Sequence, residues 1–307
     1  MATSSSSPPL ATSQLPVIKG EEKPSNWAEL HPDLLSSILL RLSPLEILEN
    51  ARKVCRSWRR VSKDPLIWRR IDMRNLRRLY CIYAMEACCR HVVDLSQGGL
   101  LEFNIDQWRF QTTSLLNYMA ERSSNLRRLR VKGGQITSVG IFEAIVKLPL
   151  LEELELLYCS IEEEHFKTIG QACPNLKTLK LVGFWSHLNE SDNDALAIAD
   201  TMPGLLHLQL ISNGLTNIGL NAILDGCPHL ECLDLRQCFN INLFGDVERQ
   251  FLERIKDFRC PNDVLDDYNY VIFSDNGSIE DEKGEEEENY SYGSDDTEYG
   301  YRRSADF

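Results

Sequence analysis

The sequence predicts an α/β chain: a small N-terminal unit of three helices, then a solenoid whose parallel strands line the concave face and whose helices form the convex face. Three observations carry this. An amphipathic helical pattern fills residues 27–73, a leucine hexamer recurs five times between residues 126 and 235, and helical patterns lie between successive hexamers.

The 307 residues are 43% hydrophobic, enough to bury a sizeable core. The net charge of −13 is unevenly spread: residues 275–307 hold 12 acidic and 3 basic side chains, and the remainder holds 34 acidic against 30 basic. The acidic balance therefore belongs mainly to a tail, residues 275–307, which reads as disordered. Residues 1–24 are rich in Ser, Pro and Thr and read the same way.

Residues 25–73 form the helical unit. Pro32 suits a first helical turn, and Asp33 beside it favours the positive helix end. Leu34, Leu35, Ile38, Leu39 and Leu42 then mark one apolar face. Ser43-Pro44-Leu45-Glu46 is a capping box that opens a second helix through Ile47, Leu48, Ala51, Val54 and Cys55. A third short helix holds Trp58 and Val61 and is stopped by Asp64-Pro65. So small a unit needs a neighbour or partner to be stable.

Residues 76–261 repeat. Leu126-Leu129-Val131, Leu151-Leu154-Leu156, Leu176-Leu179-Leu181, Leu205-Leu208-Leu210 and Leu230-Leu233-Leu235 share the pattern L-x-x-L-x-[LV], with starts 25, 25, 29 and 25 residues apart. Five in phase within the 20–29 residue window mark leucine-rich repeats. Pro149, Pro174, Pro203 and Pro228 each precede a hexamer by two residues and end the helices. Those helices carry Ile141-Ile145-Leu148, Phe166-Ile169-Cys173 and Leu220-Ile223-Leu224-Cys227. Val92-Val93-Asp94-Leu95 reads as a degenerate first strand, and Phe244, Val247, Phe251, Ile255 and Phe258 as a capping helix that closes the stack.

Alternation along each strand sends hexamer positions 3 and 5 to the concave face. These positions are Arg128 and Arg130, Glu153 and Glu155, Thr178 and Lys180, His207 and Gln209, Cys232 and Asp234. Two readings stand side by side: opposite charges pair across the ladder, contributing about 0.2–1 kcal/mol each, or they form a patterned surface for a charged partner. The 29-residue interval adds a loop with Phe184, Trp185, Ser186 and His187, and rigid scaffolds often bind through such loops. The candidate substrate-binding residues are Arg128, Arg130, Glu153, Glu155, Lys180, Phe184, Trp185, His207 and Asp234.

The 10 cysteines form no CxxC pair and the 6 histidines complete no zinc spacing, so no metal or cofactor is expected, and the cysteines read as small buried hydrophobes. The start of the chain lacks a signal-peptide pattern, and no apolar run approaches the ~18 residues of a membrane span. With free thiols, this predicts a nuclear and/or cytoplasmic protein without a membrane partner. The basic stretch 41–78, 12 basic against 4 acidic, reads as a face for an acidic protein rather than for nucleic acid. GxSxG, GxGxxG, Walker and HExxH motifs are all missing, and His165 after Glu162-Glu163-Glu164 reads as a solvated helix start, so an enzyme is not expected.

Residues 27–68 resemble the F-box motif. Leu30-His31-Pro32-Asp33-Leu34-Leu35, Ile38-Leu39-Leu40-Arg41-Leu42, Val54-Cys55-Arg56-Ser57-Trp58-Arg59 and Asp64-Pro65-Leu66-Ile67-Trp68 match in order and spacing. With the repeats, the chain is similar to plant F-box/LRR-repeat proteins of the Skp-interacting-partner kind. His31 stands where relatives usually carry proline. The resemblance implies a substrate-recognition subunit of an SCF-type ubiquitin ligase: the F-box binds the Skp adaptor and, through it, cullin and RING subunits, while the repeats bind an unknown protein substrate. The alternative is a scaffold that binds the adaptor without delivering substrates for degradation. By match to the motif, the adaptor-binding residues are Leu30, Pro32, Ile38, Leu39, Leu42, Leu45, Val54 and Trp58.

Overall fold

A computed structural model describes residues 27–74, 82–107, 113–133, 138–159, 161, 163–183, 190–243 and 254–265. The terminal segments 1–24 and 275–307, Phe184 and Trp185, and Phe244 to Phe251 of the expected capping helix lie outside these residues. One compact unit runs to Asp263, and the description below is of that unit.

The helical unit forms as its caps dictate. His31 precedes α1 (Pro32–Leu39) with φ −60° and ψ 141°, the backbone that a proline would impose, and its Nδ1 accepts the Asp33 N–H at 3.4 Å. Histidine thus serves the helix start as proline does elsewhere, and adds a side-chain cap. Leu35 and Leu39 turn inward. At Ser43 the capping box closes both ways: the Ser43 N–H donates to Glu46 Oε2 at 2.8 Å, and the Glu46 N–H donates to Ser43 Oγ at 3.3 Å. It starts α2 (Pro44–Glu46), which passes through a π-helical stretch, Ile47–Ala51, into α3 (Arg52–Val54). Extended Cys55, φ −160°, then breaks the helix and redirects the chain into α4 (Arg56–Val61). The Asp64 carboxylate accepts the Leu66 N–H at 3.0 Å and opens the 3-10 turn Pro65–Trp68.

Among the described residues eight parallel strands follow in sequence order: β1 (Arg70–Met73), β2 (Glu102–Gln107), β3 (Arg128–Gly133), β4 (Glu153–Leu157), β5 (Thr178–Val182), β6 (His207–Ile211), β7 (Cys232–Asp234) and β8 (Asp257–Arg259). Between them run α5 (Ile82–Leu95), α6 (Thr113–Arg122), α7 (Ser138–Ile145), α8 (Glu163–Ala172), α9 (Asn193–Thr201) and α10 (Asn217–Gly226). The register stacks like on like: Leu129, Leu154, Leu179, Leu208 and Leu233 form one buried column. Each fully buried leucine contributes roughly 1.5–3 kcal/mol, which no single repeat retains unless its neighbour covers it.

The sheet is longer than the leucine count suggests. Trp68-Ile71-Met73, Leu100-Phe103-Ile105 and Ile255-Phe258-Cys260 occupy the same i, i+3, i+5 positions, and Ile71 pairs with Phe103 as Leu233 pairs with Phe258. Two expectations are corrected here. Val92, Val93, Asp94 and Leu95 belong to the end of α5, where Val92 and Val93 are buried, and not to a strand. Phe258 lies in β8 and not in a capping helix. The sheet also starts at Arg70, ahead of residue 76, so Trp68 and Ile71 tie the helical unit into the repeat core.

Two further features recur in several repeats. Tyr158, Ser212 and Gln237, each seven residues after a hexamer start, take positive φ of 54°, 57° and 63°, where the chain leaves the sheet. Buried or half-buried thiols donate to carbonyls one repeat back: Cys238 to Leu210 at 2.7 Å, Cys227 to Met202 at 3.5 Å, Cys173 to Leu148 at 3.7 Å and Cys159 to Val131 at 3.8 Å. The cysteines are therefore weak donors between repeats as well as small apolar fillers.

Candidate partner-binding surfaces

The helical unit divides its apolar residues sharply. Leu35 and Leu39 are fully buried, and Trp58 is nearly so, its indole N–H donating to the Trp27 carbonyl at 3.0 Å. Leu39 and Trp58, expected at the adaptor contact, are thus part of the unit's own core. Leu30, Ile38, Leu42 and Leu45 are half-buried against that core, and Pro32 and Val54 are exposed. Sequence reasoning missed other exposed side chains: Trp27, Leu34, Leu40 and Leu66 are 56–62% exposed. Burial of one flank of α1 and solvation of the other separates Leu34 from Leu35, a distinction that a window of consecutive leucines does not carry.

On the strand face the charges pair. Arg128 lies 3.6 Å from Glu102 and 3.3 Å from Glu153, and Lys180 reaches Glu153 at 3.8 Å. One row further, Arg130 bridges Asp106 at 2.5 Å and Glu155 at 3.1 Å, with both Arg130 and Glu155 mostly buried. The cross-ladder reading therefore holds across β2 to β5, and these charges neutralise one another. At the start of the row, burial alone would raise the Asp72 carboxyl, but hydrogen bonds and charge from Arg74 outweigh it and hold it below the usual carboxylate range.

Asp234 is corrected too. Its carboxylate takes a fork from Arg236, at 3.0 Å from Nε and 2.7 Å from Nη2, and both residues are buried, so Asp234 reaches the strand-face hollow only as a buried, charge-paired wall. What stays open is a shallow hollow of about 290 Å³ toward the C-terminal strands, lined by Thr178, Lys180, His207, Gln209, Cys232 and Arg259, among others. Lys180, still paired with Glu153, and His207 are thus brought together there, while Arg128 and Arg130 are held in the ladder. Burial pushes the Cys159 and Cys238 thiols up to about 12 and the Cys173 and Cys227 thiols up to about 11. Among the described residues no three His, Cys, Asp or Glu side chains gather as a metal site requires, and no helix is long and apolar enough to cross a membrane.

Comparison with known proteins bears on both surfaces. A family model described as F-box-like matches residues 27–74, and one described as the LRR repeats of FBD-associated F-box protein At5g56370 matches residues 90–191. The chain is 98% identical to F-box/LRR-repeat protein 22 of Arabidopsis thaliana over 307 residues, covering 100% of both. It is 56% identical to F-box protein SKIP19 of the same plant over 281 residues, 91% of this chain and 87% of that one. The chain belongs to the F-box/LRR-repeat family.

In F-box/LRR terms, the helical unit is the F-box and the strand face is the concave repeat surface. An F-box joined to leucine-rich repeats is the architecture of SCF-type substrate receptors in general, and such proteins are typically non-catalytic adaptors. In this F-box/LRR protein the two parts share one core through Trp68, Ile71 and Phe103.

Proposed function

We propose that this chain is the substrate-recognition subunit of an SCF-type ubiquitin ligase. One observation carries the proposal: the F-box fills its own core with Leu35, Leu39 and Trp58, yet still presents Leu34, Leu40, Val54 and Leu66 to solvent. A small unit with a filled core has no internal use for four more large aliphatic side chains. Burying them against a second protein contributes roughly 25 cal/mol per Å². The Skp-type adaptor is that protein, and Leu30, Pro32, Ile38, Leu42 and Leu45 extend the contact. Leu39 and Trp58 act from behind, by positioning.

Through the adaptor the chain joins the cullin and RING subunits, which with the ubiquitin-charged enzyme carry out the chemistry. A protein substrate docks at the C-terminal part of the concave face, in the hollow lined by Lys180 and His207, which adjoins Glu153 at the end of the Glu102–Arg128–Glu153 ladder. The chain acts in the nucleus and/or cytoplasm. A photo-crosslinker placed at His207 in the full chain, followed by mass spectrometry of what it captures and measurement of that protein's half-life with and without this chain, tests the reading. A captured protein that turns over faster when the chain is present supports it. A captured protein whose half-life does not respond leaves an adaptor-bound scaffold instead.

A further inference from the structure

The F-box carries a second surface that its apolar face does not explain. Arg56, Arg59, Arg60 and Lys63 fall at i, i+3, i+4 and i+7 along α4 and the turn that continues it, and all four are exposed. Trp58, Val61 and Ser62 occupy the opposite, buried side. Lys53, also exposed, precedes the stripe. Lys53, Arg56, Arg60 and Lys63 form no ion pair among the described residues, and Arg59 donates to the Arg52 carbonyl at 3.1 Å. The nearest acids leave the stripe uncompensated: Glu49 makes no ion pair with Lys53 among the described residues, and Asp64 caps the Leu66 N–H.

Like charges at these spacings repel and destabilise the helix that bears them. The stripe therefore works against the stability of a small unit, and a surface of opposite sign relieves it. Two exposed aliphatic side chains flank it in sequence, Val54 before Arg56 and Leu66 after Lys63. From Lys53 to Leu66 no exposed aromatic ring offers a platform for base stacking, which favours a protein surface over a nucleic acid.

We propose that Lys53, Arg56, Arg60 and Lys63 are the electrostatic half of the adaptor site and dock an acidic segment of the Skp-type adaptor beside Val54 and Leu66. This rests on the adaptor reading above and adds to it the sign of the charge that the partner presents. Cations at the rim of an apolar contact act chiefly on the association rate and on its salt dependence.

The test uses the full chain and a purified Skp-type adaptor, with binding kinetics measured in about 0.1 M and about 1 M salt, where the screening length falls from about 10 Å to about 3 Å. The triple variant R56E/R60E/K63E should bind about tenfold or more weakly at the lower salt, mainly through a slower association rate, and should converge with the parent at the higher salt. If the reversals unfold the F-box, as circular dichroism reports, R56Q/R60Q/K63Q replaces them, with a smaller loss in the same direction. Equal affinity of parent and triple variant at the lower salt overturns the inference while leaving the adaptor reading intact. So does a triple variant that loses only its affinity for a labelled single-stranded RNA. A parent chain that binds no adaptor at either salt removes both.

Discussion

Trp68 donates its indole N–H to the Ser62 carbonyl across 2.9 Å, and both residues are buried. The bond joins the end of the F-box helices to the first apolar column of the sheet, since Trp68 stands three residues before Ile71, which pairs with Phe103. The F-box is thus the N-terminal cover of the repeat stack, and the stack is the neighbour that so small a helical unit needs.

Trp68→Ala should therefore destabilise both parts together, by about 3–5 kcal/mol. Denaturant unfolding followed by far-ultraviolet circular dichroism and by the fluorescence of the remaining tryptophans checks this. Coincident transitions shifted to lower denaturant are expected, whereas loss of an early, separate F-box transition alone contradicts a shared core.

Arg130 sits between Asp106 and Glu155 with little exposure. Arg130→Met keeps much of the side-chain bulk but leaves two carboxylates without their cation. It should cost about 1–3 kcal/mol, and thermal unfolding would register the loss. Arg130→Met combined with Asp106→Asn and Glu155→Gln should recover part of it, because the uncompensated charges are gone.

Gly226 ends α10 against α9 so closely that a Cβ there would overlap the Ala199 carbonyl. Helix propensity favours alanine over glycine by about 1 kcal/mol, but backbone cannot swing aside as a side-chain tip can. Gly226→Ala should therefore lose about 1–3 kcal/mol in a denaturation series, the usual cost of overpacking. A gain in stability would show that the two helices separate freely.

Buried Cys173, Cys227 and Cys238, and half-buried Cys159, have thiols pushed up to about 11 or 12. Thiolate is the reactive form, so iodoacetamide at mildly alkaline pH should label half-buried Cys55 first and spare these four until the chain unfolds. Peptide mapping by mass spectrometry reads the order. Equal labelling of Cys55 and Cys238 in the folded chain would contradict the repeat packing.

The five leucine hexamers were legible because each repeat buries the same three positions and leucine fills them. The outer strands were not, because Trp68, Phe103, Ile105 and Phe258 fill those positions with other shapes, and only the i, i+3, i+5 spacing survives. The expectation of a strand at Val92 to Leu95 erred because three apolar residues in four also suit the buried side of a helix, and α5 extends back to Ile82. For the strand face, the sequence held both outcomes, pairing and docking. The register decided, by setting Arg128 beside Glu153 and Arg130 beside Glu155. In the F-box, composition alone did not separate buried Leu39 and Trp58 from exposed Leu34 and Leu40, since all belong to apolar helices and only their packing differs.

The most direct test of the account is the affinity of the full chain for a purified Skp-type adaptor, measured for the parent, Val54→Asp and Leu34→Asp. Solvent-facing side chains that bind a partner should give parent binding, a loss of about tenfold or more in each variant, and unchanged thermal unfolding of the free chain. Parent-like affinity in both variants, or no adaptor binding by the parent, would contradict it.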